Sequence, residues 1–154
     1  MKTVPLLSLA LAGVLISRAH AATEQLLFRD YRGIFRFIVS QEDVPENNPD
    51  LFQVAAESVL DYVSANSGEW FLVVKPDLLN KKHVSVLRGA QGNGPFYVFR
   101  ETPAGFRFLG SMFGNGYKVG SLNGRLQFRT ASHVSAEASE DVIYEVDGNR
   151  LIKK

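Results

Sequence analysis

The sequence contains no cysteine, and this absence excludes several kinds of protein at once. Without a thiol there is no disulfide scaffold, no cysteine nucleophile, no thiolate zinc site and no iron–sulfur cluster. A lipoprotein anchor is excluded for the same reason, because its lipid is attached to a cysteine. The chain also has no Asn-x-Ser/Thr sequence, the acceptor site for N-glycosylation.

An excess of charge of one sign is missing as well. The chain has 17 Lys+Arg against 16 Asp+Glu, for a formal net charge of +1. Bulk nucleic-acid binding requires a clear basic excess, so we expect no nucleic-acid partner. Apolar residues make up 45% and charged residues 21% of the 154 positions, which are ordinary values for a folded globular domain.

Long hydrophobic runs are absent except at the N-terminus. Lys2 precedes an apolar run from Val4 to Ile16, and the small residues Ala19 and Ala21 follow it. This pattern predicts a signal peptide over residues 1–21 and a single globular domain over residues 22–154. The run is shorter than the roughly 20 residues that span a bilayer, so we expect no stable membrane insertion after cleavage. Export without cysteine or glycosylation sites favours a bacterial protein that is periplasmic or secreted.

The segment from Thr23 to Ser40 is compatible with two kinds of structure. Its apolar residues fall on one face of a helix, at Leu27, Tyr31, Ile34, Phe35 and Ile38. Glycine in the middle and the many β-branched and aromatic residues are more typical of a strand. We favour the helix and keep the strand as the alternative.

A second helix is predicted by a capping signal followed by an apolar stripe. Asn48 can accept a backbone N–H of the first turn, and Pro49 suits the first helical position. The stripe that we expect to be buried consists of Leu51, Val54, Ala55, Val59, Tyr62 and Val63.

After Gly68 the apolar pattern becomes that of strands. Glu69 to Lys75 is apolar on both faces, as a central covered strand would be, and His83 to Arg88 predicts another strand. Three hairpins follow, around residues 102–105, 123–124 and 147–148. The predicted fold class is α+β, with one or two N-terminal helices packed on an antiparallel meander sheet of about six to eight short strands.

The hairpin registers place basic residues opposite each other. In the first hairpin Arg100 is expected to face Arg107, and in the second Lys118 is expected to face Arg129. Directly opposed like charges are unfavourable, so each pair needs either acidic neighbours or a partner. Solvated arginines covering a sheet face are one interpretation, and a surface that binds an acidic protein partner is the other.

One turn suggests a second kind of binding site. Phe113, Asn115 and Tyr117 stand in a glycine-containing segment, where aromatic rings would flank a mobile tip. A sugar or a peptide could stack on such rings. The alternative is an ordinary connection between two strands.

Catalytic or cofactor-binding motifs are not recognisable. After cleavage at residue 21 the remaining histidines are His83 and His133. Neither has a second metal-ligating residue at a suitable spacing, so we expect no metal and no cofactor. Ser132 and His133 are neighbours on a predicted strand and point to opposite faces, which argues against a serine nucleophile. We assign no catalytic residue.

These observations lead to a function hypothesis with open alternatives. The favoured hypothesis is a non-catalytic binding protein of the cell envelope. An inhibitor or immunity protein that neutralises an exported enzyme is a more specific form of it. The alternatives are an accessory component of an envelope assembly and an enzyme of unrecognised type.

Overall fold

The structure is a computed structural model, which describes residues 26–42, 51–78, 87–89, 91–133, 135 and 138–154. Its elements are β1 (Leu27–Phe28), α1 (Tyr31–Gln41), α2 (Leu51–Glu57), β2 (Val59–Ser64), β3 (Trp70–Lys75), β4 (Gly94–Thr102), β5 (Gly105–Gly114), β6 (Gly116–Leu122), β7 (Arg125–His133), β8 (Ser139–Asp147) and β9 (Arg150–Lys153). The predicted signal peptide, the helix cap at residues 48–50 and all but the last two residues of the strand predicted at 83–88 lie outside the described residues. Those last two residues form a bend.

The first predicted helix is present over the second half of its segment. It begins after Asp30, whose carboxylate Oδ1 accepts the backbone N–H of Gly33 at 2.8 Å. Ile34, Phe35 and Ile38 are buried, as the spacing indicated. Leu27, which was also placed on this helix face, instead belongs to β1 and pairs with Arg107 of β5. The helix is therefore correct from Tyr31 onward, including the glycine-containing stretch whose composition suggested a strand, and the described part of the segment is a strand only at Leu27–Phe28.

The second helix is about half as long as the sequence predicted. α2 ends at Glu57, and the chain continues as strand β2, which pairs with β3 from Val59 opposite Lys75 onward. Val54 is buried as expected, but Val59 and Tyr62 are 48% and 44% exposed. The physical reason is composition, because Val59, Tyr62 and Val63 are β-branched or aromatic residues, which favour strands. Pairing with β3 outweighs the helical spacing.

The strands form two antiparallel sheets, where the sequence predicted one meander. The first sheet has the order β1-β5-β4-β3-β2, and the second has the order β6-β7-β8-β9. The chain passes from one sheet to the other between Gly114 and Gly116. A Cβ at Gly114 would lie 2.7 Å from the carbonyl oxygen of Ala131, so only glycine permits this crossing. The coarse prediction of helices with antiparallel strands is correct, but the single sheet is wrong, and the described residues form nine strands where about six to eight were predicted.

The first sheet is covered on both faces. Leu72, Val74 and Phe99 pack with the helices, while Phe71 and Val73 pack with residues of the second sheet. Alternate residues of β3 thus enter two different cores, which confirms the prediction of a central strand that is apolar on both sides. The layers follow each other as helices, first sheet and second sheet.

The registers predicted for the first two hairpins are largely confirmed. Arg100 faces Arg107 as predicted, and the same register places Phe99 opposite Phe108. Beyond this point a bulge adds a residue to β5, so that Val98 faces Gly110 and not Leu109. In the second hairpin Lys118 faces Arg129 as predicted.

The third hairpin turns one residue later than predicted. Asp147 pairs with Arg150, and Glu145 lies opposite Ile152, whereas a turn at residues 147–148 would have placed Glu145 opposite Arg150. The two turn residues are Gly148 and Asn149, and Gly148 has a φ of +55°. A turn with positive φ at its first central position favours glycine there, which explains the shift.

Within the described residues, no helix is long and apolar enough to cross a membrane.

Candidate functional site

The outer face of the second sheet is the surface on which charged residues meet. Along β7, Leu126 and Phe128 are buried against the first sheet, while Gln127 and Arg129 point the other way. The helices pack on the far side of the first sheet. Among the described residues, the second sheet therefore has no covering layer on its outer face.

Lys118 and Arg129 lie directly opposite each other on this outer face. Both are exposed, and neither forms an ion pair with a described residue. The turn between their strands is a two-residue turn with positive φ at Asn123 and Gly124, the geometry of type I′. Such a turn fixes the register tightly, so the two cations are held side by side at an energetic cost. We call these two residues the cation pair.

A shallow cleft lies on each side of the cation pair. The first has a volume of about 300 Å³ and is lined by Gly116, Tyr117, Lys118, Arg129, Ala131 and Asp141. The second has a volume of about 430 Å³ and is lined by Lys118, Val119, Gly120, Ser121, Leu122, Gln127, Arg129 and Ile143. Small residues leave the space, namely Gly116 with Ala131 in one cleft and Gly120 in the other. The cation pair therefore forms a rim shared by two clefts.

The nearby carboxylate of Glu145 is already neutralised by other groups. It is 6% exposed and accepts hydrogen bonds from Gln127 and Arg125, both at 2.9 Å, with Lys154 Nζ at 3.2 Å. The hydrogen bond from Gln127 and then that from Arg125 lower the pKa of Glu145 to about 2. Glu145 is therefore already paired with residues of its own sheet, and its carboxylate is not available to compensate the cation pair. Sequence reasoning missed the network because it depends on three strands and on the true register of the third hairpin.

Arg100 and Arg107, the other predicted pair, belong to the first sheet. Arg100 donates hydrogen bonds to Asn149 Oδ1 at 3.0 Å and to the Gly148 carbonyl at 2.8 Å, and its guanidinium lies over the ring of Phe71. Its Nε is 3.2 Å from Glu69 Oε1, although the buried Nε–H does not point at that oxygen. Arg107 is half-buried. Arg100 therefore links β4 to the β8–β9 turn by hydrogen bonds. The structure does not bring Arg100 and Arg107 together with the cation pair into one site.

Phe113, Asn115 and Tyr117 do not converge on one pocket. Asn115 is the single residue that connects β5 to β6 along the chain, and its backbone N–H donates to the Ala131 carbonyl at 2.8 Å. The ring of Tyr117 packs on Phe96 and Phe128, and its hydroxyl donates to Asp61 at 2.9 Å. Burial, followed by this hydrogen bond, raises the pKa of Tyr117. Phe113 is 52% exposed, so it is the aromatic of this segment that faces solvent.

The described residues bring together no recognisable catalytic arrangement. They contain no group of three or more His, Asp or Glu side chains that could hold a metal ion. Ser132 Oγ donates to the Phe113 carbonyl at 3.4 Å, whereas the backbone of His133 is bonded to the side chain of Asn93. His83 lies outside the described residues.

No protein family, curated protein or solved structure matches this chain.

Proposed function

We propose that the protein is an exported, non-catalytic binding protein whose second sheet binds an acidic protein partner through its outer face. The observation that carries this proposal is the cation pair, in which Lys118 and Arg129 are opposed, exposed and without an acidic neighbour in ion-pair contact among the described residues. The export follows from the predicted signal peptide at residues 1–21. An inhibitor or immunity protein acting on an exported enzyme is the specific form that fits a small protein without catalytic groups.

The electrostatic argument rests on the cost of the pair in the unbound protein. Two cations held opposite each other in a ladder repel, and this repulsion is relieved when a carboxylate is placed between them. A charge-assisted hydrogen bond from arginine to a carboxylate is stronger than a neutral one and is directional. Exposed ion pairs are individually weak, so the clefts on both sides are needed to supply contact area. Charge complementarity of this kind chiefly sets specificity and the rate of association.

The test is direct binding after charge reversal at the cation pair. A partner is first captured from envelope and culture-medium fractions with the tagged protein, identified by mass spectrometry and purified. Binding of that partner is then measured for the wild type and for the Lys118→Glu/Arg129→Glu variant. We expect the variant to lose at least about tenfold in affinity, and the wild type to bind more weakly as salt rises from about 50 to 300 mM.

The control variant changes the same charge at another surface. Arg29 and Arg36 are both exposed, Arg29 in the bend between β1 and α1 and Arg36 on α1, which packs on the first sheet on the side away from the second. Arg29→Glu/Arg36→Glu alters the net charge by the same amount and should leave the affinity within about twofold. Equal losses in both variants would indicate a bulk charge effect, and no loss in either would refute the proposed surface.

A further inference from the structure

Strand β6 is an edge strand that borders the cation pair. Among the described residues it pairs with β7 alone, and every residue from Lys118 to Leu122 is exposed. Its side chains include the large apolar residues Val119 and Leu122, which are 42% and 56% exposed. An exposed edge strand presents a row of backbone donors and acceptors that can pair with another extended chain. It contains no proline, the residue that would block such pairing.

The hairpin register shows which backbone groups of β6 face outward. The two-residue turn makes Leu122 and Arg125 a hydrogen-bonded pair. In an antiparallel ladder such pairs alternate, so Gly120 and Lys118 also direct their backbone groups toward β7. The backbone groups of Val119 and Ser121 therefore point away from the sheet. They are the groups available to an added strand.

The larger cleft beside this edge exists because position 120 is glycine. Lys118, Gly120 and Leu122 share the outer face of β6, since residues two apart on a strand point to the same side. A Cβ on Gly120 would meet nothing within 4 Å. Along β6 the space above it is bounded by Leu122 on one side and by Lys118 on the other. Arg129 and Ile143, which face each other on β7 and β8, line it further across the sheet. The cleft thus combines an apolar wall with a cationic rim.

Resting on the proposed function, we infer that the acidic partner binds by adding an extended segment to the edge of β6, with an acidic residue and an apolar residue separated by one position. The acidic side chain lies opposite Lys118 and within reach of Arg129. The apolar side chain, two positions along on the same face, fills the cleft above Gly120. Backbone hydrogen bonds to Val119 and Ser121 supply affinity that does not depend on sequence, and the two side chains supply specificity.

Charge decides between such a partner and a second copy of this chain. Two β6 strands paired with each other would bring two cation pairs close together and contribute no carboxylate, because β6 contains no acidic residue. Like charges near each other across a ladder are destabilising. An acidic partner segment removes the repulsion that self-pairing would increase.

The experiment uses short synthetic peptides that differ only in spacing. One has glutamate and isoleucine separated by a threonine, and the other has the same composition with glutamate and isoleucine adjacent. Neighbouring residues of an extended chain point to opposite faces, so the adjacent form cannot place both side chains on the outer face. We expect the separated form to bind the wild-type protein at least about tenfold more tightly in fluorescence anisotropy. It should also slow hydrogen exchange at the amides of Val119 and Ser121.

Three variants separate the failure of this inference from the failure of the proposed function. Gly120→Val should abolish the spacing preference by filling the cleft, while Ser121→Val, its matched control on the opposite face of β6, should keep the preference. Lys118→Glu/Arg129→Glu should weaken binding of both peptides. Binding that depends on the cation pair but not on spacing or on Gly120→Val would overturn the strand-addition inference and leave the proposed function intact.

The remaining outcomes are equally decisive. If neither peptide binds, the strand-addition inference fails, and charge reversal against the captured partner still decides the proposed function. If both peptides bind the charge-reversed variant as well as the wild type, the proposed function fails together with the inference. If light scattering shows a dimer that Gly120→Val dissociates, the occupant of this edge is a second copy, and an acidic partner segment is refuted.

Discussion

Substitution of Gly110 by alanine should strongly destabilise the protein. Gly110 lies at the bulge of β5 with a φ of +152°, a backbone conformation that residues with a side chain rarely adopt. A Cβ at this position would lie 2.9 Å from the Cβ of Leu151 on β9. That distance is well inside the about 3.5–4.0 Å of ordinary carbon–carbon contact. The glycine thus allows the second sheet to pack closely on the first.

The magnitude follows from three terms of different sign. Forcing a residue other than glycine into an unfavourable φ/ψ region costs about 1–3 kcal/mol. Overpacking against Leu151 adds about 1–3 kcal/mol, because the contact is with a Cβ and not with the end of a flexible side chain. Reduced freedom of the unfolded chain returns about 0.4–1 kcal/mol. We therefore expect a net loss in the free energy of unfolding of about 1–5.5 kcal/mol.

Urea denaturation of Gly110→Ala and of Gly120→Ala, its matched control, measures this loss. At Gly120 the added Cβ has open space, so the expected change in the free energy of unfolding is within about 0.5 kcal/mol. The slope of the free energy against urea should stay the same in both variants, since neither changes the surface exposed on unfolding. A Gly110→Ala variant as stable as the Gly120→Ala control would refute the close packing of β9 on β5.

Two further predictions concern the core and the buried acid. Phe128→Ala should lower the free energy of unfolding by about 3–5 kcal/mol, because the ring of Phe128 is fully buried between the sheets. Phe113→Ala, at an exposed ring, should lower it by less than about 1 kcal/mol. Equal losses of the two variants in urea denaturation would contradict the two-sheet core. Because the folded state lowers the pKa of Glu145 from 4.5 to about 2, its contribution to stability is complete above pH 4.5 and is lost as the pH falls through about 2. Thermal melting between about pH 5 and 2 should therefore be less pH-dependent in Glu145→Gln than in the wild type, and equal slopes would contradict the network around this carboxylate.

Local patterns in the sequence were sufficient to predict several elements and their registers. The helical spacing around Ile34 and Ile38 identified the buried face of α1, and the Asn123-Gly124 turn placed Lys118 opposite Arg129. Both depend on neighbours a few residues apart, whose geometry is set by the backbone itself. The same local reasoning failed at β2, because helical spacing and strand composition compete there and pairing with the distant β3 decides between them.

The candidate site shows the same division. The sequence by itself determined that cysteine chemistry is absent and that two basic pairs exist, because composition and hairpin register are local properties. Only the tertiary structure decided that Arg100 is fastened to Asn149 and that Glu145 is neutralised by Gln127, since these contacts join residues far apart in the chain. It also separated the strands into two sheets, which left the cation pair on an uncovered face of the described structure. Exposure is a property of how layers pack, and no pattern within a single strand contains it.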